Sequence, residues 1–264
     1  MKIRYAEQTD IPELKNLWKV CFGDSDKYID NFFDCLFAVK NTIIAEIKKR
    51  VAGVVYMIPA KLKETNFMYG YAIGVLPEFR GQSICKKMLD FIKEIADKEK
   101  FIFGLHPANE KLEQFYQKIG LKPMYSLKEV TLDASFNDAE CEFSDVSCEE
   151  VVNMRKNTFS ELVEWDKSVI HFIITNGGCV KKITLQHKDA YFFVRKEADN
   201  IVVYETSADD EFIKKASPCI KEKFKAKNIK YILSSKTTLQ GIKKPYIYGF
   251  SDKDDDVYMN LFLD

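Results

Sequence analysis

Ile73-Gly74-Val75-Leu76-Pro77-Glu78-Phe79-Arg80-Gly81-Gln82-Ser83-Ile84-Cys85 combines residue types that can do chemistry at close spacing. An apolar, strand-like run ends at Pro77, Arg80-Gly81 marks a tight turn, and a helical pattern follows at once. Gly81, Ser83 and Cys85 are small and alternate with Gln82 and Ile84, so a ligand can approach the backbone of the first turn. Amides at a helix start lack intrahelical acceptors and lie at the positive end of the helix dipole. Arg80 adds a permanent cation whose donor fork matches phosphate. Together these features predict an anion site sized for a pyrophosphate. The plainer alternative is an ordinary strand-to-helix connection with an exposed arginine. Ser83 and Cys85 keep the backbone accessible as long as neither position needs a positive φ. Cys85 would also stand where a helix start favours thiolate.

A second block lies downstream: Asn109-Glu110-Lys111-Leu112-Glu113-Gln114-Phe115-Tyr116-Gln117-Lys118-Ile119-Gly120-Leu121. In order and separation the two blocks resemble those of the GNAT superfamily of N-acetyltransferases. The family's acyl-CoA motif reads Gln/Arg-x-x-Gly-x-Gly/Ala and stands here as Arg80-x-x-Ser83-x-Cys85, with Ser83 and Cys85 departing from it. The resemblance covers roughly residues 1–135. It implies a GNAT fold, acetyl-CoA as co-substrate, a primary amine on a small molecule or peptide as acceptor, and no metal. The pyrophosphate would lie on Arg80, Gly81, Gln82, Ser83, Ile84 and Cys85, and the pantetheine arm on the backbone of Ile73 and Val75. Asn109 and Tyr116 would touch the cofactor, with Tyr116 as general acid toward the sulfur. The bland readings are a helix cap for Asn109 and a core aromatic for Tyr116. For the general base, His106, Glu46 and the chain-terminal Asp264 are candidates, the last by analogy with two-lobed relatives.

The elements that must position these residues follow from periodicity. A strand over 2–6 precedes a helix capped by Asp10 and running to Cys21. A second helix starts at Asp24 or Ser25. Strands at 41–47, 50–60 and 66–76, a helix over 81–98, a strand at 101–105, a helix over 109–119 and a strand over 123–133 complete a first α+β domain, residues 1–135, with a mixed sheet flanked by helices. Asp133 to Glu142 reads as a linker. Residues 140–264 repeat the pattern in part: helices near 147–159, 166–175 and 209–227, and strands at 180–187, 190–196, 200–206, 230–234, 244–250 and 256–263. This resembles a degenerate second GNAT-like lobe. Asp209, Asp210 and Glu211 stand at its helix start, where they would repel a pyrophosphate.

Composition narrows the classes. Forty basic and forty acidic residues cancel, and no basic stripe marks a nucleic-acid partner. That argues against a transferase drawing on charged tRNA. No apolar run reaches the ~20 residues of a membrane span, and the start lacks a signal peptide's apolar stretch. Seven scattered cysteines and three histidines form no zinc pattern, so free thiols in the cytoplasm are expected. The expected activity is acetyl transfer by direct attack in a ternary complex. The alternative is a non-catalytic acyl-CoA sensor or partner-binding module on the same fold.

Overall fold

A computed structural model describes residues 1–132, 140–252, 254 and 257–260. The chain divides into two compact units: residues 1–122 with 247–252, and residues 123–246 with 253–264.

In the first unit, β1 (Lys2–Tyr5), β2 (Thr42–Ile47), β3 (Arg50–Leu62), β4 (Thr65–Val75) and β5 (Ile102–Leu105) lie side by side in that order. All neighbours are antiparallel except β4 and β5, which are parallel. The β2–β3 turn is two residues long, with Lys48 and Lys49 both at positive φ (50° and 64°), the twist a tight hairpin needs. Strand β3 is buried on both faces. Val55 and Met57 meet Ile84, Met88, Leu89 and Ile92 of α3 (Ile84–Glu99). Tyr56 turns the other way, to Trp18 of α1 (Ile11–Phe22) and Phe32 of α2 (Asp26–Cys35), with ring centroids 5.2 and 5.1 Å away. The helix α4 (Glu110–Lys118) follows β5. Tyr248 and Gly249, near the end of β13 (Ile242–Gly249), pair antiparallel with Leu105 and Gly104.

Two helix starts differ in how they are capped. Ser25 caps α2 by accepting from the Tyr28 amide, as its type suggests. Asp10 does not cap α1. Its carboxylate instead accepts from the Glu7 amide at 2.7 Å and from both terminal nitrogens of Arg4. The ion pair outcompetes the cap, and Pro12 in the first turn supplies the helical φ without needing an acceptor.

The second unit contains β6 (Lys122–Leu132, from Pro123 onward), β7 (Glu142–Ser144), α5 (Cys148–Thr158), β8 (Val163–Trp165), α6 (Lys167–Thr175), β9 (Cys179–Leu185), β10 (Lys188–Glu197), β11 (Asn200–Thr206), α7 (Asp210–Phe224), β12 (Asn228–Ser234) and the first part of β13. Its sheet runs β13-β6-β12-β11-β10-β9-β7. As in the first unit, an antiparallel meander (β9, β10, β11) leads through a helix to a parallel neighbour, β12. The apolar face of α7 (Phe212, Ile213, Ala216, Ile220) packs on Phe192, Val203, Ile229 and Tyr231. The strand expected at 256–263 is irregular where described: residues 257–260 carry one isolated bridge, Leu162 to Tyr258. Most of the expected linker, 133–139, lies outside the described residues.

Candidate active site

The site begins where β4 and β5 part. They pair from Phe67↔Ile102 to Gly70↔Leu105, and β4 then continues alone on that side through Val75. On its other side β4 stays bound to β3, with a bulge: Tyr71 faces Tyr56 and Gly74 faces Val54, so Ala72 and Ile73 together oppose Val55. Ala72 takes φ 45°, which re-aims the backbone at the fork. Ile73 and Val75, expected to offer their main chain to a pantetheine arm, therefore lie on a strand edge that β5 has left. Gly74 is required by close packing. A Cβ there would meet Leu17 Cδ2 at 3.1 Å and Cys21 Sγ at 3.3 Å, so α1 lies directly over the strand.

The turn that follows is tighter than its sequence suggests. A helix over 81–98 was expected, but α3 begins only at Ile84 because two residues ahead of it are left-handed: Gly81 at φ 77° and Ser83 at φ 57°. A positive φ at Ser83 or Cys85 is expected to lower the affinity for the cofactor. The structure gives Ser83 a positive φ, at a conformational cost glycine would avoid. The Ser83 hydroxyl caps nothing. The first amide past the turn with a backbone acceptor is Lys87, which donates to Ser83 O at 3.0 Å. Among the described residues the amides of Ile84, Cys85 and Lys86 have no backbone acceptor and are the orphan donors of this helix start. Arg80 folds back on its own strand: its Nε donates to Val75 O at 3.0 Å, and the Cys21 thiol sits against the same two groups.

The helix start does not make Cys85 a thiolate. Burial pushes its thiol up to about 12, so desolvation outweighs the helix dipole. Tyr116 is buried on α4 and packs in the same core cluster as Ile84, with Cys85 against it. Burial, and after it the neighbouring Cys85, raise its phenol above the ordinary value and keep it protonated. Asn109 is the N-cap of α4, its Oδ1 accepting from the Leu112 amide at 3.1 Å. One contact was not foreseen: Tyr248 donates to the Glu113 carboxylate, one helical turn before Tyr116. No local signal announces it, because Tyr248 reaches the first unit from 135 residues away.

The other expected groups are placed elsewhere. Glu46 accepts from Arg4 Nε at 3.0 Å and from a terminal nitrogen at 2.9 Å, an ion pair at the strand end remote in sequence and register from the fork. His106 follows directly on the last paired residue of β5. Asp264 lies outside the described residues. Trp18, Phe32, Tyr56, Tyr69 and Tyr71 are all buried and form the core beneath α1 and α2 rather than an open wall. Tyr28 and Tyr71 share a hydroxyl–hydroxyl bond of 2.6 Å, and the buried Tyr56 hydroxyl has no hydrogen-bond partner among the described residues. No group of three or more possible metal ligands occurs among the described residues, and none of their helices is long and apolar enough to cross a membrane.

In the second unit the matching helix start is closed. Asp209 caps α7 by accepting from the Phe212 amide at 2.7 Å, and Asp210 accepts from the Thr238 amide at 2.7 Å and from the Thr237 and Thr238 hydroxyls. A cavity of about 540 Å³ beside it is lined by Glu161, Asp209, Asp210 and Glu211 against one lysine, Lys236, which is the wrong sign for a diphosphate.

The forked parallel pair, the bulged strand and the helix started by a left-handed turn make up a GNAT-type α+β architecture. Residues 2–124 match the acetyltransferase (GNAT) domain family. Solved structures extend the likeness to nearly the whole chain. A GCN5-related N-acetyltransferase from Anabaena variabilis superposes with a TM-score of 0.72 at 13% identity, covering 94% of this chain and 72% of that one. Eis1 from Mycobacterium abscessus gives 0.66 at 11% identity, covering 94% and 73%. A GCN5-related N-acetyltransferase from Sphaerobacter thermophilus gives 0.52 at 12%, covering 94% and 93%. At these identities the likeness is one of fold. No curated protein matches the chain by sequence.

Proposed function

We propose that the protein is an N-acetyltransferase that moves an acetyl group from acetyl-CoA to a primary amine by direct attack in a ternary complex. The observation that carries this reading is the parting of β4 from β5 after Gly70 and Leu105, which leads without interruption into the uncovered amides at the start of α3. Bound there, acetyl-CoA would supply an activated acyl group. The amides of residues 81–86 and the Arg80 charge would hold its diphosphate. The edge of β4 at Ile73 and Val75 would take an extended amide-bearing arm as an added strand once Arg80 turns from Val75 O to the diphosphate. Amides at the Ala72 bulge would polarise the thioester carbonyl.

Tyr116 would serve the leaving group. As the amine nitrogen bonds to the acyl carbon and the carbon–sulfur bond breaks, its hydroxyl would donate the proton that the departing sulfur takes up. Burial keeps the phenol protonated but also makes it a weaker acid than a free tyrosine, so the transfer would be driven by the negative charge developing on the sulfur within hydrogen-bond reach. Asn109 would contact the cofactor with atoms that its capping bond leaves free. Asp264 is carried as a candidate base, to be tested by Asp264→Asn.

The test is Tyr116→Phe, assayed for thiol release across a panel of amines and for CoA binding by thermal shift. Turnover should fall on the order of 10²-fold or more with CoA binding retained, the usual scale for losing a positioned acid. Undiminished turnover would remove Tyr116 from the mechanism. CoA binding with no amine supporting thiol release would instead favour a non-catalytic acyl-CoA sensor.

A further inference from the structure

The second unit has its own fork, and it is filled. Strands β11 and β12 pair in parallel from Asn200↔Asn228 to Val203↔Tyr231 and then part. From there β12 pairs with β6 on its other side out to Ser234↔Leu127. The bulge recurs as well, with the β10–β11 register shifting between Phe193 and Val194, next to the fork. The first residue past the last pair is Tyr204 on one strand and Ile232 on the other. A single side chain bridges them: Asn260 Nδ2 donates to Tyr204 O and to Ile232 O, the latter at 3.2 Å.

The segment carrying Asn260 is held like a bound peptide. Its main chain takes part through Tyr258 N to Glu161 O at 2.6 Å and Val163 N to Tyr258 O at 3.0 Å. Trp165 Nε1 donates to Asn260 O at 3.2 Å. Met259 and Asn260 are fully buried. The Tyr258 ring stacks on Phe159 with centroids 3.9 Å apart, and its side chain lies among Leu127, Leu162, Val202 and Ile232. The Tyr258 hydroxyl also reaches the buried Glu205 carboxylate, which Arg155 and Tyr191 already hold. The main chain of Tyr258 pairs with Glu161 and Val163, beside the fork, while the Tyr258 ring and the Asn260 amide are the groups that enter it, an aromatic anchor and an amide clamp of the kind peptide grooves use.

We propose that the fork between β11 and β12 is a groove for an extended peptide, occupied in cis by Val257–Asn260, whose tyrosine and asparagine are the recognised side chains. In the first unit the same topological position is where the proposed function seats acyl-CoA; here the chain provides its own occupant. This inference does not depend on the acetyltransferase reading, because no residue of the first unit enters it.

The experiment is hydrogen–deuterium exchange on the full-length protein and on Asn260→Leu, which keeps volume but removes the amide clamp. Exchange at 204–206 and 232–234 should rise at least tenfold in the variant, while 71–75 stays unchanged. An excess of a synthetic peptide spanning residues 257–264 should slow the variant's exchange again, and the same peptide with its tyrosine and asparagine replaced by alanine should not. Unchanged exchange at 204–206 and 232–234 in the variant overturns the proposal, as does equal rescue by the two peptides or rescue by neither. Should Asn260→Leu fail to fold, Asn260→Ser retains one donor and provides the same readout at smaller amplitude.

Discussion

Replacing Ser83 with glycine should stabilise the protein, against the usual expectation for glycine at a helix start. Ser83 sits at φ 57°, ψ 24°, ahead of α3. A left-handed conformation costs a residue with a Cβ roughly 1–2 kcal/mol. Its hydroxyl makes no capping bond, so none is lost on substitution. Glycine loses more chain entropy on folding, about 0.5–1 kcal/mol. The difference leaves a net gain of about 0.5–1 kcal/mol, worth roughly 1–4 °C in Tm for a chain of this size. Gly81 provides the opposite control one turn-residue away: it has φ 77°, with nothing within 4 Å of a built Cβ. Gly81→Ala should therefore lose about 1 kcal/mol for conformational reasons alone. Differential scanning calorimetry on both variants and on Ser83→Val, whose branched side chain resists this region most, orders them glycine, serine, valine from most to least stable at position 83. If Ser83→Gly is destabilising while Ser83→Val is tolerated, the turn is not left-handed there and the account of the amide cradle fails with it.

Three further outcomes are expected. Arg80→Glu should abolish the stabilisation that saturating CoA confers, about 2.7 kcal/mol at a hundredfold excess over Kd, while moving the unliganded Tm little, because its bond to Val75 is exposed; thermal shift with and without CoA reads both. The Cys85 thiol, raised by burial to about 12, contributes stability that is complete below its unfolded value near 9 and is lost as pH climbs toward 12; its alkylation should be slow at neutral pH and accelerate across that window, as measured by peptide-resolved iodoacetamide labelling. Arg155→Met should cost about 3–5 kcal/mol by stranding the Glu205 carboxylate, which the Arg155 Nε meets at 2.7 Å in the interior, and Arg155→Met with Glu205→Leu should recover more than half of that in urea unfolding.

What could be read along the chain was what neighbouring residues decide together. The strand that runs up to the Pro77 turn and the helix that carries Tyr116 are signals within one or two helical turns, and both elements form where expected, whereas Gly81 and Ser83 fall in the turn ahead of α3 rather than in its first turn. Ala72 was opaque because alanine carries no mark of a bulge; the register of two strands puts it at φ 45°, and only the paired strand shows that register. Ser83 was misjudged for a related reason, since the turn between a fixed strand end and a fixed helix start imposes its φ. Asp10 has the composition of a cap and is claimed by Arg4, which it holds jointly with Glu46. The long-range cases share one cause. Tyr248 on Glu113, Arg155 on Glu205 and Asn260 across Tyr204 and Ile232 join residues separated by 135, 50, 56 and 28 positions. Such contacts form once the sheets exist, so their chemistry is set by what a formed fork or helix leaves unsatisfied. The two forks make the point directly. The same meander, crossover helix and parallel neighbour produce orphan backbone groups in both units. The second satisfies them with its own Asn260, Asp209 and Asp210, whereas in the first a run of amides beside Arg80 is left open. On the proposed function, what separates the two forks is which of their orphan groups the chain itself caps.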